Sequence, residues 1–276
     1  MDDLVSTAWL EQQLDSLDLA ILDASLFMPG DARDAAAEFA AAHIRGALRF
    51  DIDALSDPSD AAPHMLPGTG AFGAAMVAIG VGRNDRIVVY DDSPLHSATR
   101  AWFMLRHYGA DRVAILDGGL AKWRAEGRPL EQGAAEPRRS RFDAVERDEI
   151  VTKALLRRGV DSPILDARSR ARFGGSAPDP RPGVAAGHIP GARNLPFGEL
   201  YRADGTLKPD EELAFAFTAA GVDPQSAFVA TCGSGVTATS LLFAARRLGG
   251  RDARLYDGSW SEWGADPATP KQTAKG

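Results

Sequence analysis

The chain repeats itself. Ile21-Leu22-Asp23-Ala24-Ser25 returns as Ile164-Leu165-Asp166-Ala167-Arg168, and Ala42-His43-Ile44-Arg45-Gly46-Ala47 returns as Gly187-His188-Ile189-Pro190-Gly191-Ala192. Further on, Leu116-Asp117-Gly118-Gly119 with Trp123 returns as Tyr256-Asp257-Gly258-Ser259 with Trp263, each 140 positions later. A tandem duplication makes both halves bury the same hydrophobic pattern, so the two copies must share one fold. At 276 residues, 45% of them apolar, the chain is long enough for two such cores. Residues 1–135 and 136–276 are the expected domains, with a connector near Gly127–Arg147 that carries Pro129, Pro137 and several charges.

Within each copy, strand-like and helix-like patterns alternate. In the first, Leu19–Asp23, Ile87–Tyr90 and Val113–Leu116 read as apolar strands, and Ser97–Tyr108 and Gly119–Glu126 carry helical spacing. In the second, Pro163–Asp166, Ala227–Thr231 and Ala253–Tyr256 read as strands, with helices over Asp148–Arg158, Asp210–Ala220 and Gly235–Leu248. This alternation predicts an α/β fold with a parallel sheet covered on both faces in each half. Functional groups then belong at the carboxyl ends of the strands. The tail from Pro267 to Gly276 is expected to be poorly ordered.

The stretch Phe228-Val229-Ala230-Thr231-Cys232-Gly233-Ser234-Gly235-Val236-Thr237 holds the only cysteine. A short β-prone run ends there, a loop with two glycines follows, and a helical pattern begins. Glycines let backbone N–H groups turn toward one point, and a helix start adds unpaired N–H groups and its positive dipole end. Thiols placed this way ionise more readily than free ones, and the thiolate is the nucleophile. A lone cysteine is ordinarily a small buried hydrophobe. A core residue has no need of Gly-x-Gly beside it, so Cys232 is read as the nucleophile. Carrying the 140-residue offset back from Cys232 lands on Asp92, so the first copy has lost this group.

Composition excludes several classes. The net charge is −7 with no basic stripe, which argues against nucleic acid. No apolar run is long enough to span a bilayer, and the acidic start Met1-Asp2-Asp3 does not read as a signal peptide. One cysteine forms no internal disulfide, and a reducing cytoplasm is the expected setting. The five histidines and single cysteine show no ligand spacing, so neither a metal nor an organic cofactor is expected.

A duplicated chain with Gly187-His188-Ile189-Pro190-Gly191-Ala192, Cys232-Gly233-Ser234-Gly235-Val236-Thr237 and Asp257-Gly258-Ser259-Trp260 resembles the two-domain rhodanese sulfurtransferases over nearly its whole length. The resemblance implies two tandem rhodanese-like domains, the first catalytically degenerate. Relatives that use thiosulfate carry two basic residues after the cysteine, where this chain has Gly233 and Ser234. The neutral loop resembles the branch that uses 3-mercaptopyruvate, a thiol donor bearing a carboxylate. By the same resemblance Arg172 and Arg181 bind the donor's carboxylate and carbonyl, and a guanidinium fork suits a carboxylate. Ser234, His64 and Asp53 are implied as a relay, with Asp53 orienting His64. The backbone of Gly233, Gly235, Val236 and Thr237 is implied to cradle the thiolate. Sulfur would pass through a Cys232 persulfide to a thiol acceptor such as thioredoxin, or to cyanide, with release of pyruvate.

Three alternatives stand beside this reading. A thiosulfate sulfurtransferase would use the same chemistry with another donor. A cysteine phosphatase closes its phosphate loop with an arginine six positions after the cysteine, where this chain has Ala238. A non-catalytic sulfur carrier needs no donor pocket, against which Arg172, Arg181 and Ser234 weigh together. His43 and His188, Asp23 and Asp166, and Trp123 and Trp263 recur in both halves and are read as scaffold. His96 is expected at the surface.

Overall fold

Both halves build a five-stranded parallel sheet with one strand order. The computed structural model describes residues 1–28, 30–133 and 137–274. The first half contains strands β1 (Leu4–Val5), β2 (Leu19–Asp23), β3 (His43–Ile44), β4 (Ala47–Arg49), β5 (Arg86–Tyr90), β6 (Val113–Leu116) and β7 (Leu130–Glu131). Its helices are α1 (Thr7–Gln13), α2 (Ala35–Ala41), α3 (Thr69–Ala78), α4 (Ala98–His107) and α5 (Gly119–Ala125). The second contains β8 (Ile150–Val151), β9 (Ile164–Asp166), β10 (Arg193–Asn194), β11 (Val229–Thr231) and β12 (Arg254–Tyr256). Its helices are α6 (Lys153–Arg158), α7 (Arg170–Phe173), α8 (Asp210–Ala219), α9 (Ala238–Arg247) and α10 (Ser259–Trp263). The sheets run β1-β6-β5-β2-β4 and β8-β12-β11-β9-β10, so each strand of one has its counterpart in the other.

The alternating side chains explain why these are sheets with two covered faces. Ile21, Val88, Tyr90, Ala114 and Leu116 share one face of the first sheet and join a core with Leu10, Phe39 and Trp123. Their neighbours Leu22, Ile87, Val89 and Val113 point the other way and are buried as well. Each such aliphatic side chain contributes about 1.5–3 kcal/mol on burial. Helix α4 is buried along all ten residues, the charged Arg100 and Arg106 included.

The recurring residues make the same bonds in both halves. His43 Nδ1 lies 2.7 Å from the Phe39 carbonyl with its ring stacked on Phe39, and His188 does the same with Phe173. Trp123 Nε1 donates to the Pro129 carbonyl and Trp263 Nε1 to that of Pro270, both at 2.8 Å. Asp23 accepts the Ser25 N–H as Asp166 accepts the Arg168 N–H.

The chain divides into two compact units, one comprising Met1–Ser56, Pro67–Arg147 and Arg202–Leu207, the other Asp57–Leu66, Asp148–Tyr201 and Lys208–Gly276. A segment of each half therefore belongs to the unit built mainly by the other. The boundary expected between 135 and 136 lies outside the described residues. In the connector, Phe142 is buried edge-on against Phe72, and β7 pairs antiparallel with β3.

Four local readings are corrected. Asp148–Arg158 is not one helix: β-branched Ile150-Val151 joins β12 as a strand, and Thr152 caps a helix that begins at Lys153. The tail is held as far as Ala274, since Thr269 is buried and Gln272 exchanges backbone hydrogen bonds with His188. His96 is half-buried, and burial pushes its pKa down to about 4. The register also moves the degenerate position. Tyr90 lies opposite Asp23 as Thr231 lies opposite Asp166, so Asp91, not Asp92, stands where the second half has Cys232. The backbone agrees, because Leu120 N–H binds the Asp91 carbonyl as Trp260 N–H binds that of Cys232.

Candidate active site

Cys232 follows the central strand of the second sheet, and the loop Cys232–Thr237 leads into α9. The thiol residue is 1% exposed, and Gly235 turns the loop with φ of 76°. Adjacent strand β12 supplies the segment that pins this loop. Ser261 N–H donates to the Gly233 carbonyl at 2.8 Å and Trp260 N–H to the Cys232 carbonyl at 3.0 Å. Cys232 N–H donates to Ser259 Oγ at 3.1 Å, and Ser259 Oγ donates to the Tyr256 carbonyl at 2.9 Å.

His64 lies in the segment Asp57–Leu66, which belongs to the same unit as the loop. Its Nδ1 is 2.8 Å from Ser234 Oγ, so the structure brings these two expected residues together. The segment is anchored by Leu66 N–H on Asp257 Oδ2 at 2.7 Å. The other unit repeats the device with Leu207 N–H on Asp117 Oδ1 at 2.8 Å. Asp53 belongs to that other unit, where it is exposed in a turn.

Two residues bonded to this loop hold a left-handed backbone. Only three non-glycine residues among those described have positive φ: His64, His96 and Ser259. His64 (φ 63°) occupies the place of Gly205 (φ 80°) in the other half, and Ser259 (φ 49°) that of Gly119 (φ 56°). Side chains in this region are costly and persist where surrounding contacts enforce them, often at functional sites. Here the two side chains that replace glycine bond to Ser234 and to the Cys232 amide.

Arg172 and Arg181 converge on the same loop. A Cβ placed on Gly233 would lie 3.1 Å from Arg172 Nη2 and 3.4 Å from Arg181 Nη1, so both guanidiniums come up against the backbone beside the thiol. A residue that sequence reasoning missed holds them. Asp179 accepts from Arg172 Nη2 at 2.5 Å and from the Arg181 backbone N–H at 3.0 Å, with Arg181 Nη1 at 3.7 Å. Ser259 was missed as well. The repeat signalled it, as a serine standing where the first half has Gly119; for Asp179 the only signal was its place two residues before Arg181.

A second buried pair supports the site from behind. Arg168 binds Asp166 with Nε and Nη2, at 2.6 Å for the shortest contact, and its guanidinium stacks 4.6 Å from the Trp260 ring centre. This pair is internally neutralised and fixes the strand end rather than facing the loop. Among the described residues, no three His, Cys, Asp or Glu side chains are grouped to hold a metal ion, and no helix is long and apolar enough to cross a membrane.

The family described as rhodanese-like domain matches twice, over residues 6–126 and 151–266. The 3-mercaptopyruvate sulfurtransferase of Escherichia coli K12 is 42% identical over 276 residues, covering 98% of each chain. The human 3-mercaptopyruvate sulfurtransferase is 40% identical, over 94% of this chain and 91% of its own. A crystal structure of the 3-mercaptopyruvate sulfotransferase from Escherichia coli superposes with a TM-score of 0.85 at 40% identity, over 95% of this chain and all of that one.

Proposed function

We propose that this chain, which belongs to the rhodanese family, is a sulfurtransferase that moves the sulfur of 3-mercaptopyruvate to a thiol or cyanide acceptor and releases pyruvate. The observation that carries the reading is the convergence of Arg172 and Arg181 on Gly233, immediately beside the only cysteine. Two guanidiniums suit a donor with a carboxylate and an adjacent carbonyl, because each offers paired N–H groups in a fixed plane. The uncharged Gly233 and Ser234 favour this donor over thiosulfate, and the two named relatives carry the same donor in their names.

The chemistry balances with this chain's own groups. The Cys232 thiolate attacks the donor sulfur, an S–S bond forms, and the C–S bond breaks with its electron pair leaving on the pyruvate enolate. The donor's thiol proton must reach the enolate carbon, and the Ser234–His64 pair, 2.8 Å apart, serves that transfer. Backbone N–H groups of Gly233, Gly235, Val236 and Thr237 hold first the thiolate and then the persulfide anion. The acceptor, a thiol such as that of thioredoxin or cyanide, takes the outer sulfur and restores the thiolate. A cytoplasmic, reducing setting keeps the single thiol free for this cycle.

The test is kcat/KM for 3-mercaptopyruvate and for thiosulfate with cyanide as acceptor, in the wild type and in Cys232→Ser. A preference of at least about a hundredfold for mercaptopyruvate, lost in the variant, supports the reading; that ratio corresponds to ~2.7 kcal/mol of transition-state binding. A preference for thiosulfate overturns the donor, and silence with both overturns the enzyme.

A further inference from the structure

We propose that Asp179 selects the charge of the sulfur donor. Its side chain is 1% exposed, while those of Arg172 and Arg181 are 24% and 19% exposed. The carboxylate therefore lies behind two guanidiniums that reach forward to Gly233. It touches both, by a 2.5 Å hydrogen bond to Arg172 Nη2 and at 3.7 Å from Arg181 Nη1, and it also accepts the Arg181 backbone N–H. Three charges in one cluster leave a net charge of one positive unit. Such a cluster matches a monoanion and leaves a dianion with an uncompensated charge, which costs most where water is scarce.

The donor charge difference is then read by the residue behind the arginines as well as by the neutral loop in front of them. Mercaptopyruvate carries one carboxylate charge and thiosulfate carries two. Arg172 Nε is buried with no hydrogen-bond partner, so this guanidinium has a donor left over after binding Asp179. Asp179 acts through Arg172 and Arg181 and is a positioning residue. The inference rests on the reading that these two arginines bind the donor.

Asp179→Asn tests it, because the amide oxygen still accepts the Arg181 N–H while the charge and the acceptor for Arg172 Nη2 are gone. The kcat/KM ratio of mercaptopyruvate to thiosulfate is expected to fall by about tenfold or more, chiefly through a lower KM for thiosulfate. Asp179→Glu keeps the charge and is expected to hold the ratio within about threefold, even where both activities drop. If Asp179→Asn does not fold, Arg181→Gln reaches the charge balance from the other side and should move the ratio toward mercaptopyruvate. Equal losses with both donors in Asp179→Asn, or a shift as large in Asp179→Glu, would mean a purely structural role and overturn the proposal. A wild type inactive with mercaptopyruvate would instead overturn the donor assignment, which is read in the same assay without any variant.

Discussion

Ser259 offers the cleanest separation of strain from bonding. Its φ of 49° places a side chain in the left-handed region, at a cost of roughly 1–2 kcal/mol relative to a relaxed backbone. In return Ser259 Oγ accepts the Cys232 N–H and donates to the Tyr256 carbonyl, and the residue is wholly buried. Ser259→Ala keeps the strain and orphans both groups, each at about 1–3 kcal/mol, so a loss of ~2–6 kcal/mol is expected. Ser259→Gly orphans the same groups and sheds the strain, against roughly 0.5–1 kcal/mol of added chain entropy on unfolding. The glycine variant should therefore be the more stable of the two by about 1 kcal/mol, with the wild type above both. Denaturant unfolding of the three proteins gives the ranking, provided the m-values agree. Sulfur transfer from the donor should slow alike in both variants, since both free the same Cys232 amide. An alanine variant as stable as the glycine variant would refute the strain argument, and one indistinguishable from wild type would refute the bonding argument.

Two other perturbations probe each half separately. Arg172→Ala should lower kcat/KM for the donor by ~10–100-fold, mainly through KM, for a charged hydrogen bond of about 1.5–3 kcal/mol; unchanged kinetics would remove Arg172 from the site. In the first half, burial pushes the Asp91 carboxyl up to about 7, although the Ala98 N–H at 2.5 Å works against it. The folded form then holds a proton that an unfolded carboxyl releases near pH ~4, so this group's contribution to stability is full below pH ~4 and is lost as pH rises toward 7. Asp91→Asn should accordingly raise Tm by several degrees at pH 8 and by little at pH ~4, and an equal effect at both values would refute the burial of a titrating carboxyl.

Which parts of this molecule were legible from its residues follows from the range of the forces involved. The repeat required two like folds, the apolar runs around Ile21, Val88 and Val229 located the strands, and Gly-x-Gly after Cys232 marked a strand-to-helix loop. These are local signals, carried by side-chain period and backbone permissiveness over a few residues. Tertiary structure decided what pairs with what. Only the strand register put Asp91 in the cysteine's place, because an offset counted along the chain slips wherever the copies differ in loop length. Only the packing assigned Asp57–Leu66 to the unit that carries Cys232, and so brought His64 to Ser234 across 170 residues. Ile150-Val151 became a strand because β12 offered it an edge. Asp179 acquired its place behind two arginines in the same way, since a carboxylate's partners are fixed by burial and distance, neither of which a residue's neighbours in sequence specify.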